Sequence, residues 1–312
     1  MLILEELASK LLISTAELVK FVNTAPYRYK VYSIPKRSGR GLRVIAQPTE
    51  VLKVIQRMVL DSYLKGLPIH DCATAYRDGL SIKENAAVHL GSKYLLKMDF
   101  SDFFPSIGPS DLISHIKKHR KDIAREDAYA VRKIFFWATK KDRVHRLSIG
   151  APSSPFISNT LMYDFDCKIF AECARLGVKY TRYADDLTFT TNVRGALFEL
   201  PDIVTKTCAE IEYPTLRVNQ EKTVFSSKGN NRHVTGLVLT NDNKISLGRE
   251  KKRYFRSLIH RYSLGGMSSE DIYALKGRLA FAKHVEPTFY NAVIQKYGAE
   301  LITSIMEYQI LK

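Results

Sequence analysis

No run of apolar residues in this chain reaches the ~18 needed to cross a bilayer. No basic amphipathic helix stands out to lie on a membrane surface either. The N-terminus, MLILEELASKLL, carries Glu5 and Glu6 where a secretory signal would carry positive charge. Cysteine is scarce: Cys72, Cys167, Cys173 and Cys208 form no C-x-x-C pair. That spacing argues against zinc or a disulfide framework and for buried or inert thiols in a cytoplasmic protein. Internal repeats and low-complexity linkers are also missing. Acid is in deficit, with 32 Asp plus Glu against 48 Lys plus Arg, a formal charge of +16. Such a surplus implies a polyanionic partner, most often nucleic acid. The 45% hydrophobic content marks a folded protein, and 312 residues suffice for a sizeable core and two or more lobes.

The positive charge is concentrated. Residues 26–49 hold Arg28, Lys30, Lys36, Arg37, Arg40 and Arg43 and no acid. Residues 244–261, KISLGREKKRYFRSLIHR, hold seven Lys or Arg against Glu250 alone. A charge run is usually a solvated helix face. These two are one-signed and interleaved with Tyr27, Tyr29, Tyr32, Tyr254 and Phe255, a mixture suited to phosphate contact with stacking.

Periodicity predicts a helix over 3–23, two strands around the Gly-rich turn of YKVYSIPKRSGRGLRVIAQP, and a helix over 50–66 with Leu52, Ile55, Val59 and Tyr63 on one face. Ser81 and Glu84 have capping-box spacing and open a short helix. KYLLKMDF, residues 93–100, reads as a buried strand ending in an acid. Helices are expected at 110–120, 126–139, 153–176, 196–212, 249–264, 269–284 and 288–310, and strands at 178–183, 187–191, 215–219 and 233–239. The mixture suggests an α+β core.

YTRYADDLTFT, residues 180–190, sets two aspartates between two strand-like runs. Asp is a common turn residue, so a solvated turn is the plain explanation. Asp99 changes the balance, because it too closes a strand. A sheet can bring Asp99, Asp185 and Asp186 together, where their charges repel and raise one another's pKa. Divalent cations relieve that repulsion, and hard oxygen ligands select Mg²⁺. Two ions ~3.5–4 Å apart can stabilise the attacking and leaving oxygens of a phosphoryl transfer.

These residues resemble the catalytic core of reverse transcriptases, in order along roughly residues 25–240. YADD and the strand ending at Asp99 resemble the catalytic carboxylates. LRVIAQP resembles the fingers motif whose basic residue, Arg43, faces nucleotide phosphates. GAPSSPFISN, residues 150–159, resembles the Gly-x-Pro-x-Ser-Pro loop beside the nascent pair, which places Gly150 at the nucleotide. LRVNQEKT resembles the palm segment whose Lys222 lies near the triphosphate. Phe104, in DFSDFF, aligns with the aromatic gate against a 2′-OH, and one of Phe103 and Phe104 is expected in the core. Ile149 departs from the family, many of whose members have Gln there. An isoleucine can only pack, so sugar discrimination must lean on other residues.

NAAVH, Asn85 to His89, and VTG, Val234 to Gly236, are similar to two hallmarks of retron reverse transcriptases. Each alone reads as ordinary structure: a polar i, i+4 pair on a helix, and a strand with a glycine bulge. The retron resemblance implies a right-hand fold of fingers (1–92, with the N-terminal helix), palm (93–225, an antiparallel sheet carrying the metal site, with a fingers insertion) and a small, basic, mostly helical thumb (226–312). It implies two Mg²⁺ ions and dNTP substrates. It also implies a structured noncoding RNA, part of which is copied into DNA that stays joined to it through a 2′,5′ branch, and an effector protein encoded nearby in antiphage defence. Asn85, His89, Val234, Thr235, Gly236, Lys251, Lys252 and Arg253 are the expected RNA or DNA contacts. Two alternatives stay open: a group II intron-like or orphan reverse transcriptase, against which the missing maturase region counts, and a nucleic-acid-binding scaffold that restrains an effector.

Overall fold

The computed structural model describes residues 3–36, 41–120 and 122–309. Arg37 and Arg40 of the basic run lie outside the described residues. Two compact units divide the chain: residues 1–78 with 96–224, and residues 79–95 with 225–312.

In the first unit the expected helix over 3–23 is two helices, Ile3–Leu11 and Thr15–Thr24. Leu12 takes a left-handed φ of 54°, which ends the first, and Ser14 with Glu17 forms a capping box that starts the second. β1 (Tyr29–Pro35) and β2 (Leu42–Pro48) then pair antiparallel, from Tyr29 opposite Pro48 to Pro35 opposite Leu42. Helix Glu50–Val59 buries Leu52, Ile55 and Val59, the face its spacing predicts, and runs into a π turn at Leu60–Leu64.

β3 (Tyr94–Asp99) belongs to a sheet with β6 (Lys179–Tyr183), β7 (Asp186–Thr191) and β8 (Val224–Ser227), in the order β6-β7-β3-β8. The helix expected over 126–139 stops at Phe135, where β4 (Phe136–Trp137) pairs with β5 (Arg146–Leu147). The span 153–176 is two helices, Ser154–Leu161 and Tyr163–Arg175, separated at Met162. Residues 215–219 are extended but make no strand; a single bridge pairs Val218 with Phe100.

The second unit is built on four helices, Arg249–Ser263, Ser269–Val285, Pro287–Tyr297 and Ala299–Glu307. Gly298, with φ of 86°, splits the last two where one helix was expected. A three-stranded sheet in the order β11-β10-β9 accompanies them: β9 (Arg232–Val234), β10 (Leu237–Leu239) and β11 (Ile245–Ser246). Helix Ile82–Val88, whose Ser81–Glu84 capping box forms as expected, packs here. Ala86 and Leu95 share one core with Val234, Phe255, Ile259 and Leu279. Residues 79–92, placed with the N-terminal region on sequence, thus share their core with the C-terminal helices.

Glu286 joins three parts of this unit. It accepts from the Leu247 amide (2.8 Å), the Ser246 hydroxyl (3.1 Å) and the Lys252 ammonium (2.5 Å). Hydrogen bonds to a charged group are worth more than neutral ones, and removing the carboxylate strands its partners. Glu286→Ala is therefore expected to cost about 1.5–3 kcal/mol of stability, read from the urea midpoint. A midpoint equal to wild type would remove the carboxylate from this role.

Candidate active site

β6 and β7 form a hairpin whose last pair is Tyr183 with Asp186, so Ala184 and Asp185 alone make the turn. The ring of Tyr180 stacks on that of Phe189 directly across the strands, with centroids 5.0 Å apart. Cross-strand aromatic pairs of this kind fix register, and a slip of one residue would swap the faces of every side chain in the hairpin. The turn itself is under strain: Ala184 is buried with φ of +58°, a region that disfavours any residue with a Cβ. The Phe100 amide donates to the Asp185 carbonyl at 3.2 Å, tying the turn to the end of β3. On its other side β3 is tied through the Asn219 amide, which donates to the Asp99 carbonyl at 2.7 Å.

The three expected carboxylates do come together. Burial raises the Asp185 pKa, and the Asp99 charge raises it further. For Asp186 the causes are burial first, then Asp185 and Asp99, with a side-chain hydrogen bond shared with Asp99. Asp186 also keeps open surface, so water moderates this repulsion. The Lys222 ammonium pairs with Asp99 at 2.7 Å, which places it among the carboxylates rather than away from them. Its charge and that of Arg43 both act to lower the Asp185 pKa, yet the net shift is upward. One close cation does not balance three acids. An all-oxygen donor set with uncompensated negative charge is the chemistry that holds a hard divalent cation.

Next to this cluster is a cavity of about 380 Å³, lined by Phe104, Gly150, Ile149, Tyr76, Gln47 and Arg57 among others. Phe103 is buried, in stacked contact with Phe100, so it is the core member of the Phe103–Phe104 pair. Phe104 is only partly buried and turns to the cavity. Gly150 has φ of +118°, and a Cβ there would meet Ile45 Cγ2 at 3.2 Å. Backbone conformation and close approach to β2 both require glycine at this point. Ile149 donates nothing from its side chain; its carbonyl accepts from the Ala46 amide. Tyr76 was not singled out on sequence. It is 52% exposed with φ of +59°, lines the cavity, and burial followed by the nearby Asp185 charge raises its pKa. Nothing in its local spacing distinguishes it from an ordinary turn tyrosine.

The remaining expected sites fall in the second unit. VTG is a tight hairpin rather than a bulged strand. Val234 pairs with Leu237, and both turn residues are left-handed, Thr235 at +46° and Gly236 at +80°. A β-branched residue at positive φ is an outlier, and two hydrogen bonds hold it. Asn85 Nδ2 donates to Thr235 Oγ1 (3.4 Å), which donates to the Ile82 carbonyl (3.3 Å). The two short motifs therefore meet. Expected as RNA or DNA contacts, Asn85, His89 and Val234 are fully buried in this structure, Asn85 against the Thr235 turn. Lys252 is likewise committed to Glu286, and the Lys251 ammonium donates to the Gly236 carbonyl at 2.7 Å. Arg253 is exposed. Among the described residues, the group whose three metal-ligating atoms all lie within 4.8 Å of one another is His115, His119 and Asp164, not the three aspartates. His115 is already bonded to Thr160 and Tyr213, and Lys118 to Asp164.

Residues 34–251 match the family model described as reverse transcriptase (RNA-dependent DNA polymerase). The chain is 44% identical to the retron Ec83 reverse transcriptase of Escherichia coli over 282 residues, covering 90% of each. It is 33% identical to the retron Ec73 reverse transcriptase of Escherichia coli, again over 90% of each. Among solved structures, apo telomerase from Candida tropicalis is similar at a TM-score of 0.48 and 14% identity, over 89% of this chain and 63% of that chain. No helix among the described residues is long and apolar enough to cross a membrane. A carboxylate turn seated against the end of β3, on a chain matched along most of its length by these enzymes, belongs to the reverse transcriptase family, and within it to the retron-type RNA-directed DNA polymerases.

Proposed function

We propose that Asp99, Asp185 and Asp186 are the catalytic carboxylates of a retron polymerase that copies part of a structured noncoding RNA into DNA joined to it by a 2′,5′ branch. The observation that carries this reading is the Asp185–Asp186 turn tied to the end of β3 beside Asp99, which the Lys222 ammonium meets at 2.7 Å. Two Mg²⁺ ions held by the three carboxylates would supply the charge that steadies the attacking and leaving oxygens. The chain's own residues do the rest. Arg43 and Lys222 bring positive charge to the incoming triphosphate, Gly150 lets the loop approach it, and Phe104 fills the space of a 2′-OH. The β1–β2 region serves as fingers, the β3-β6-β7 sheet as palm, and the C-terminal helices as thumb. A cytoplasmic RNA–DNA product held by this protein, with an effector encoded nearby, would act in antiphage defence.

Asp186→Asn is expected to abolish DNA synthesis while leaving the fold intact. The sign of its stability effect follows from the raised pKa. A carboxyl that holds its proton more tightly in the folded state than in the unfolded one costs stability as pH rises toward its folded value. In EDTA the variant should therefore melt at or above wild type, and its advantage should widen from pH 5 to pH 8. Synthesis near the wild-type rate would sink the assignment.

Phe104→Val opens the cavity wall, so the ratio of rNTP to dNTP efficiency on an RNA template should rise about tenfold or more. An unchanged ratio moves the gate to another residue.

Recognition of one RNA must come from outside the carboxylate site, because the palm accepts a changing template. The exposed face of Arg249–Ser263 suits a structured stem, with Arg253 on its open side. Arg253→Ala is expected to impair copying of the cognate RNA far more than extension of a generic primed template. Equal losses on both would make this helix a general grip.

A further inference from the structure

Beneath the carboxylate turn lies a charge that the polymerization chemistry does not use. Arg182, in β6, has a side chain with 0% exposure, and so has its partner Asp166. Arg182 Nε donates to Asp166 Oδ1 (2.9 Å) and one terminal nitrogen to Oδ2 (2.6 Å), a forked pair. The other terminal nitrogen donates to Asn159 Oδ1 (3.1 Å) and to the Ala184 carbonyl (3.2 Å). Tyr180 adds its hydroxyl to Asp166 Oδ1 (2.9 Å). Burial alone would lower the Arg182 pKa, but Asp166 outweighs it and keeps the guanidinium charged.

Each partner leads to a wall of the active site. Ala184 is the left-handed residue that presents Asp185. Asn159 sits on the helix that follows the Gly150 loop, and its amide donates to the Ala75 carbonyl (2.8 Å). Ala75 precedes Tyr76, and the segment before it is laid along β6: Arg182 N–H donates to the Cys72 carbonyl (2.8 Å) and Thr74 N–H to the Arg182 carbonyl (2.9 Å). The turn and the loop helix are thus fastened to the Arg182 guanidinium, and the segment before Tyr76 to the Arg182 backbone and to Asn159.

We propose that Arg182 is a positioning residue: together with Asp166 and Asn159 it holds the strained Ala184 turn in register with the nucleotide cavity, so that the Asp185 and Asp186 carboxylates face the metal. This rests on the reading of those aspartates as catalytic. A fork is needed for this, because the guanidinium serves four acceptor oxygens, both of Asp166, Asn159 Oδ1 and the Ala184 carbonyl, whereas the ammonium of lysine has three N–H donors and no planar pair to match a carboxylate. The pair is not there for stability alone. Replacing a buried ion pair with apolar residues of like volume is often neutral, whereas removing one partner is strongly destabilising.

That asymmetry gives the test. In the variant Tyr180→Phe/Asp166→Leu/Arg182→Met the whole charged group is exchanged for apolar side chains. Its urea midpoint in EDTA should stay near wild type. Its affinity for Mn²⁺, followed by electron paramagnetic resonance without nucleotide, should fall about tenfold or more. On a primed RNA template kcat should fall by a similar factor, by more than KM for the dNTP rises. Mn²⁺ affinity and kcat both within about twofold of wild type would overturn the proposal. If the triple variant does not fold, Asn159→Ala decides, since it keeps the ion pair and removes one strut. It should weaken Mn²⁺ binding and kcat by about threefold or more, and no change in either would refute the role. Asp185→Asn in parallel separates the two readings. Synthesis by that variant would overturn the catalytic assignment, whereas its loss beside an unimpaired Arg182 variant would overturn the positioning role alone.

Discussion

Three carboxylates repel, and the fold must hold them together against that repulsion. The restraint comes from neutral and oppositely charged groups placed around the turn rather than within it. Phe100, just past the end of β3, supplies its amide to the Asp185 carbonyl, Lys222 meets Asp99, and Arg182 grips Ala184 from below. Burial pushes the pKa values of Asp185 and Asp186 up first, and the charge that remains unbalanced pushes them further. That remainder is useful, because a site already neutral would have little reason to attract a cation.

The cavity follows the same logic of backbone placed by distant parts. Gly150 approaches β2 so closely that a methyl group would crowd Ile45, and Ile149 bonds through its peptide alone. Phe103 packs on Phe100 so that its neighbour Phe104 can turn outward. The cavity wall is therefore set in part by Ile45, Phe100 and Phe103, which do not line it.

Much of this was legible in the sequence, and the failures have physical reasons. The hairpin around Asp185 and Asp186 showed because β-branched and aromatic residues flank a polar break. The strand to Asp99 showed because its apolar run is short and ends in an acid. Helix breaks at Leu12, Met162 and Gly298 were missed where apolar periodicity carries across the interruption, since periodicity reports burial and not φ. Arg182 and Asp166 passed unseen because a charged residue in a strand reads as a solvated one until its partner, 16 positions away, is found in space. VTG and NAAVH were seen as separate marks. Their link is one amide on one hydroxyl, Asn85 to Thr235, which no spacing rule encodes.

The cations of residues 244–261 bear on how the protein meets a polyanion. Lys252 is paired with Glu286, and Lys244 and Arg261 face Asp242 and Asp271. A charge already neutralised by its own protein displaces few of the counterions condensed on a nucleic acid. Arg249, Lys251, Arg253 and Arg256, which have no acidic partner among the described residues, are left to release them. The segment is consequently a weaker electrolyte than its composition suggests, with three of its seven cations already held by acids.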